Sequence, residues 1–343
     1  MGKKLDLDNN QTQPSSTKEK HNNATPTPSS SHQYGGTHTA TWINHLPRSW
    51  TPYIQLSRLS PPAALFLIFL PHFYGVMHAA RTTDQDISSV FRSCGILFCG
   101  SFFYSNAAHA WNDLVDAPID RQVSRTKNRP IARGAITPRA ALIFTLSQAI
   151  GAACFLIPLP RRTAVMAVPS ILGAAYYPWA KLHTYFPQLV LGACLAWGAM
   201  VGASTLGIEE PDRAEICLVM SLILWTSIYD TVYAHQDKKD DMKIGVKSTA
   251  VLFQHHARKL LWGLLLFMGI CLLYYGWLTE AGWGYYSVSL GASVGSLGSM
   301  IYCVDLDDEA SCWWWFSKGF WFTGVSLSLG LVVEYGMAAY FGV

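Results

Sequence analysis

The sequence predicts an all-α membrane protein, a bundle of nine transmembrane helices, and three observations carry that prediction. Half of the 343 residues are hydrophobic and only 14% are charged, against roughly 25% in soluble globular chains. Long apolar runs recur, each near the roughly 20 residues a helix needs to cross the bilayer core. Lys and Arg concentrate in alternate loops, as the positive-inside rule requires of a multi-pass chain.

The elements follow in order. Residues 1–47 are rich in Ser, Thr, Asn, Gln, Pro and His, and such a segment cannot bury enough apolar surface to order itself. It reads as a disordered cytosolic tail, with residues 48–343 forming the polytopic domain. The tail has no apolar h-region and no Arg before Arg48, and it carries Asp6, Asp8 and Glu19. It therefore fits neither a secretory signal nor a mitochondrial presequence. Residues 44–58 predict a short helix lying on the membrane surface. The spans are expected at about 59–80, 88–110, 139–158, 163–180, 187–207, 213–234, 258–278, 282–304 and 317–341. Pro169 and Pro178 predict kinks in the fourth. The eight cysteines show no CxxC spacing and read as small apolar packing residues rather than a disulfide framework or zinc site.

Nine spans with a cytosolic N-terminus place 20 of the 25 Lys and Arg residues on the cytosolic side. Only Arg81, Arg92, Arg161, Arg162 and Arg213 fall toward the other face. Trp42, Trp50, Trp111, Trp179 and Trp313–Trp315 lie near span ends, where an interfacial aromatic belt is expected. His72 and His78 fall inside an apolar span and read as packed or water-exposed histidines rather than catalytic ones. The net charge of +3 gives no sign of a nucleic-acid partner.

Two stretches depart from this apolar pattern. Residues 112–130, NDLVDAPIDRQVSRTKNRP, and 229–249, YDTVYAHQDKKDDMKIGVKST, each follow a hydrophobic span and face the same compartment. Asn112, Asp116 and Asp120 lie at i, i+4 and i+8, as do Tyr233, Asp237 and Asp241. On an α-helix each step of four advances about 40°, so each set falls within a stripe of roughly 80°. Pro118 interrupts the first stripe. Asp113, Asp230 and Asp240 lie close by. Carboxylates at a membrane helix end are costly unless compensated, and a hard cation compensates them. Mg²⁺ takes oxygen ligands and shares its remaining positions with water and substrate phosphate. The expectation is a cup of facing carboxylates that holds Mg²⁺ and, through it, a diphosphate. Arg121, Arg125, Lys127, Arg129, Arg133, Lys238, Lys239, Lys243 and Lys247 stand in the same loops to help neutralise that ligand. The plain alternative is a pair of solvated loops whose cations only set topology. Residues 237–248, DKKDDMKIGVKS, lack the ligand alternation of an EF-hand.

In these two stretches the sequence resembles the UbiA-type intramembrane prenyltransferases. NDLVDAPID fits NDxxDxxxD, and YDTVYAHQDKKDD fits YDxxYAxxDxxDD. RTKNRPIARG, GVKSTA and YYPWAKLHTYFPQLVLG also look like that family, and the likeness spans about residues 50–340. The resemblance implies a helical bundle around a central cavity open to lipid, and Mg²⁺-dependent transfer of an isoprenoid from its diphosphate to an aromatic acceptor. It implies Asn112, Asp116 and Asp120 as the first metal–diphosphate set and Asp237 and Asp241 as the second, with Asp113, Asp230 and Asp240 supporting. Asn112, Asp116, Asp237 and Asp241 would carry catalysis. Lys181, Lys247, Arg125, Arg129 and Tyr233 would contact the diphosphate, and Arg58 the acceptor. Lys181-Leu182 and Arg58-Leu59-Ser60-Pro61-Pro62 depart from the family's usual polar residues at those places. The sequence is accordingly most similar to fungal enzymes that prenylate polyketide-derived phenolic acids in meroterpenoid biosynthesis, with farnesyl diphosphate as the expected donor. An endoplasmic reticulum or other endomembrane location with a cytosol-facing site goes with that reading. Two alternatives stand beside it: a 4-hydroxybenzoate polyprenyltransferase of ubiquinone biosynthesis, and an ion-coupled secondary transporter. A transporter predicts mid-span acids and an internal repeat, whereas these acids cluster at span ends.

Overall fold

A computed structural model describes Tyr34 and residues 41–83 and 85–341. Every regular element among them is helical. A short 3₁₀ turn, Thr41–His45, and α1, Thr51–Leu56, precede α2, Ala63–Thr82, and the long α3, Ile87–Asp120. Then come α4, Pro138–Cys154, α5, Arg161–His183, and the broken pair α6, Pro187–Ala196, and α7, Gly198–Ser204. The chain continues with α8, Arg213–Ala234, the short α9, Lys238–Ile244, and α10, Thr249–Phe253. It ends with α11, Ala257–Leu278, a π-helical stretch Tyr285–Ala292 leading into α12, Ser293–Cys303, α13, Glu309–Trp314, and α14, Phe320–Phe341.

Helix starts follow from side chains that satisfy otherwise unpaired N–H groups. The Asp86 carboxylate accepts from the Ser88 N–H at 3.1 Å and starts α3. Thr137 caps α4 with Pro138 behind it, and Asp212 accepts from the Glu215 N–H at 2.7 Å to start α8. Gly245 ends α9 at φ +76°, a conformation that costs glycine nothing.

Helices α2 and α7 lie backbone to backbone. A Cβ on Gly75 would sit 1.9 Å from the Ala199 carbonyl oxygen, and one on Gly202 2.0 Å from that of His72. Small residues at such crossings let backbones approach in lipid. Tyr74, Trp225, Leu261, Met268 and Phe320 fill the interior. Outward, α11 presents Leu266, Phe267, Ile270 and Leu273, and α4 presents Ile143, Leu146 and Ile150. An exterior this apolar belongs in lipid, and the chain is a multi-pass membrane protein.

Helix stands at each interval where the sequence predicts a span, but among the described residues six segments are long and apolar enough to cross a membrane. The third expected span is only 17 residues, ending at Cys154. The fourth, α5, carries Arg161, Arg162, Lys181 and two prolines, and the eighth is divided by the π-helical stretch. Pro169 and Pro178 are accommodated within one continuous helix.

Residues 1–33 and 35–40, most of the expected tail, lie outside the described residues. Tyr34 is buried against Trp313, with ring centroids 5.3 Å apart, and its hydroxyl donates to the Pro61 carbonyl at 2.7 Å. Ile43 is buried as well. The expected Trp belt is also only partly an exterior feature: Trp42, Trp50 and Trp314 are exposed, but Trp313 packs inward on Tyr34 and Phe316.

Candidate active site

The ends of α3, α5 and α8 meet at one rim of the bundle, and the two charged stretches lie over it. Between them is a cavity of about 230 Å³. Helix α3 continues through Pro118 to Asp120, so the proline does not interrupt the first stripe. Asn112, Asp116 and Asp120 all line the cavity. The second set is built differently. Helix α8 stops at Ala234, and Asp237 opens α9 after a turn. The Asp241 N–H still donates to the Asp237 carbonyl at 2.8 Å, so helical spacing survives locally and Tyr233, Asp237 and Asp241 line the same cavity. Asp230, one turn before Tyr233 on α8, joins them.

Cations hold this rim together. Arg125 donates to Asp237 through Nε at 2.9 Å and to the Tyr233 hydroxyl at 2.8 Å, with its guanidinium 4.9 Å from the Tyr233 ring centroid. Burial works against the Arg125 charge and the Asp237 carboxylate more than restores it, so the guanidinium stays ionised. Arg129 reaches both Asp120, at 3.1 Å, and Asp113, at 3.2 Å. Lys181 Nζ pairs with Asp116, which also accepts from Asn112 Nδ2 at 2.8 Å. The Lys247 N–H donates to the Lys181 carbonyl at 2.8 Å, which ties the loop after α9 to the end of α5. The expected diphosphate contacts Lys181, Lys247, Arg125 and Arg129 therefore all line the cavity, three of them paired to the expected metal ligands.

Other expected residues lie elsewhere. Asp113 is buried behind the cavity wall between Arg58, at 2.9 Å, and Arg129. Asp240 accepts from the Ser124 N–H at 2.9 Å, which holds its carboxyl below the usual carboxylate range, and it pairs outward with Lys243. Both serve as struts between segments, not as cavity wall. Lys238 pairs with Asp307 at 2.8 Å. Of the nine loop cations, Arg125, Arg129 and Lys247 line the cavity. Arg58 lines it too, and its Nε is buried without a partner.

Among the described residues no three His, Cys, Asp or Glu side chains converge closely enough to hold a metal ion. Facing carboxylates are instead spaced by Arg and Lys. The donor set nevertheless fits a hard cation. Asp116 Oδ1 is buried without a hydrogen-bond partner. The Asp230 and Asp241 carboxylates face the cavity and accept no hydrogen bond among the described residues. Burial, with the Asp237 charge added, pushes the Asp241 carboxyl up to about 7.

Sequence reasoning missed most of the cavity's lower wall: His109, Tyr104, Tyr177, Tyr229 and Phe316. His109 was within reach, lying one turn before Asn112 on the same helix face. A second, largely apolar cavity of about 270 Å³ lies between α3, α4 and α5, and Tyr104, Ala108 and Ala174 wall both.

Comparison with known proteins gives this geometry a context. The model of the UbiA prenyltransferase family matches residues 68–324. The chain is 33% identical over 295 residues to a mitochondrial 4-hydroxybenzoate polyprenyltransferase of Saccharomyces cerevisiae, covering 86% of this chain and 79% of that protein. It is 34% identical over 263 residues to the prenyltransferase ascA of Acremonium egyptiacum, covering 76% and 78%. In fold it matches a UbiA homolog from Archaeoglobus fulgidus bound to GPP and Mg²⁺, with TM-score 0.62 and 15% identity over 82% of this chain and 99% of that one.

Proposed function

This chain belongs to the UbiA prenyltransferase family, and we propose that it transfers a prenyl group from an isoprenoid diphosphate to a hydroxylated aromatic acid at the cavity rimmed by Asp116, Asp237 and Asp241. The observation that carries this reading is the polarity gradient of one continuous wall. Carboxylates and cations converge at the rim, aromatic side chains line the floor, and an apolar chamber adjoins it across Tyr104 and Ala174.

The unpartnered oxygens of Asp116, Asp230 and Asp241 support Mg²⁺ as the cofactor, with Asn112, Asp120 and Asp237 completing the donor set. When bound there, magnesium neutralises negative charge on the departing diphosphate. Lys181, Lys247, Arg125 and Arg129 would hold the diphosphate oxygens and lower the cost of the charge that grows as the allylic C–O bond breaks. The faces of Tyr104, Tyr177, Tyr229 and Phe316 would border the allylic cation, where a ring's negative face attracts positive charge and the wall excludes water. The isoprenoid tail would run toward the chamber between α3, α4 and α5. Arg58, with its free Nε, would receive the acceptor carboxylate.

The finer reading is transfer of farnesyl to a polyketide-derived phenolic acid, in an endomembrane with the rim facing the cytosol and the N-terminus on the same side. The similarity to a fungal prenyltransferase and the exposed Leu182 beside Lys181 support it. The likeness to mitochondrial 4-hydroxybenzoate enzymes favours a second reading, polyprenyl transfer in ubiquinone biosynthesis. Mass spectrometry of products from membranes given a panel of isoprenoid diphosphates and phenolic acids, with and without EDTA, tests both. An EDTA-sensitive farnesyl adduct supports the first. Long-chain adducts of 4-hydroxybenzoate, with rescue of a quinone-deficient strain, support the second. The absence of any prenyl adduct would defeat the function itself.

A further inference from the structure

His109 is a titratable side chain in the cavity wall that neither motif accounts for. It sits on α3 one turn before Asn112, between the charged rim and the aromatic floor. Its Nδ1 is 2.7 Å from the Ser105 carbonyl oxygen, one turn back on the same helix. A carbonyl only accepts, so Nδ1 is the protonated nitrogen and the lone pair of a neutral ring lies on Nε2. Nε2 meets no partner among the described residues. The ring is thus fixed in one tautomer with its basic nitrogen left for whatever the cavity holds.

Building on the prenyl-transfer reading, we infer that His109 Nε2 is the base for the hydroxyl of the aromatic acceptor. The bonds balance as follows. The C–O bond of the allylic diphosphate breaks, and its electron pair leaves with the diphosphate. The ring carbon ortho to the hydroxyl forms a C–C bond to the allylic carbon, while the O–H proton passes to Nε2 and the oxygen becomes a carbonyl. The substituted ring carbon then loses its proton to the released diphosphate, and His109 returns the first proton to the oxygen. The ring is aromatic again and His109 ends as it began. The assignment also sets specificity: a free hydroxyl is needed within reach of Nε2.

The test uses the full chain in membranes with farnesyl diphosphate and 4-hydroxybenzoate or 2,4-dihydroxybenzoate. His109→Ala is expected to lower kcat about 100-fold, the lower end for loss of a general base, with the KM for farnesyl diphosphate within twofold. Added imidazole should restore part of the rate. His109→Gln, which accepts a hydrogen bond but not a proton, should recover the acceptor KM and not kcat. With 4-methoxybenzoate, the wild type should fall to the level of His109→Ala. A His109→Ala rate within threefold of wild type would overturn the inference. So would a loss that imidazole does not relieve and that raises the donor KM in step, which marks a packing role. A wild type that makes no product with these acceptors, whether the donor is farnesyl diphosphate or a long-chain polyprenyl diphosphate, overturns the prenyl-transfer reading, and the inference with it.

Discussion

Both ends of helix α8 carry charge, and they use it in opposite ways. At its C-terminal end, Asp230, Tyr233 and the neighbouring Asp237 face a cavity, and their cations come from other segments across that space. At its start, roughly 25 Å away, Asp212 and Glu215 sit beside His78, whose Nδ1 is 3.3 Å from the Tyr275 hydroxyl and whose Nε2 is 3.6 Å from Asp212. Nearby, Glu334 accepts from the N–H groups of Gly282, at 2.9 Å, and Tyr285, at 3.3 Å, and pairs with Arg81 at 3.6 Å. None of these residues lines either cavity. At the far end Arg81, Glu334 and His78 use their polar atoms to tie α2, α14 and the segment after α11 together and to join α2 to α8 and α11. The rim pairs Asp116, Asp120 and Asp237 with Lys181, Arg129 and Arg125 around a cavity, and leaves Asp116 Oδ1 and the Asp230 and Asp241 carboxylates facing it without a hydrogen-bond donor among the described residues.

Breaking the two ends should therefore give opposite phenotypes. The largest effect is expected at the rim. Asp116→Ala or Asp237→Ala should reduce prenyl transfer by about 1,000-fold or more, as when preorganised charge is removed, while membrane expression stays near wild type. Full activity in both would erase the distinction. Next is Glu334→Ala, which strands the Gly282 N–H and takes the carboxylate from beside Arg81, whose guanidinium keeps the Thr279 and Glu280 carbonyls. It should cost about 2 kcal/mol, read as a lower thermal midpoint in detergent, with activity per folded molecule preserved. A variant that is stable but inactive would place function at the far end as well.

A third experiment sharpens the rim's role. Asp241 has its carboxyl pushed up to about 7 by burial. Its protonated form prevails below that pH and cannot ligate a cation. The Mg²⁺ concentration for half-maximal activity should fall as pH rises from 6 to 8, and Asp241→Asn should flatten that dependence. The smallest effect is expected at Tyr34→Phe, which removes the hydroxyl that donates to Pro61. That should lower stability by about 1 kcal/mol with little change in kcat.

The rim was legible in the sequence because its residues lie in two local runs whose spacing is set by helical geometry. Asn112, Asp116, Asp120, Tyr233, Asp237 and Asp241 all reach one cavity. What was not legible depends on long-range contacts. No local pattern could tell that Arg129 would bridge Asp113 and Asp120, or that Asp240 would turn away to the Ser124 N–H. The break after Ala234 was hidden because four-residue spacing persists across the turn. Tyr34 falls in the tail by composition, yet its own ring is buried against Trp313, a long-range contact that composition does not show. The count of nine crossings is not settled by helix alone, because α4 is one residue short of the six clear spans' minimum and α5 carries three cations and two prolines.

The most direct test of the account is binding of a non-reacting donor, farnesyl thiodiphosphate, to the purified full-length protein across a Mg²⁺ titration. The account predicts binding that appears with Mg²⁺, disappears with EDTA, and is lost in both Asp116→Ala and Asp237→Ala. Equal binding with EDTA present, or undiminished binding in both variants, would contradict it.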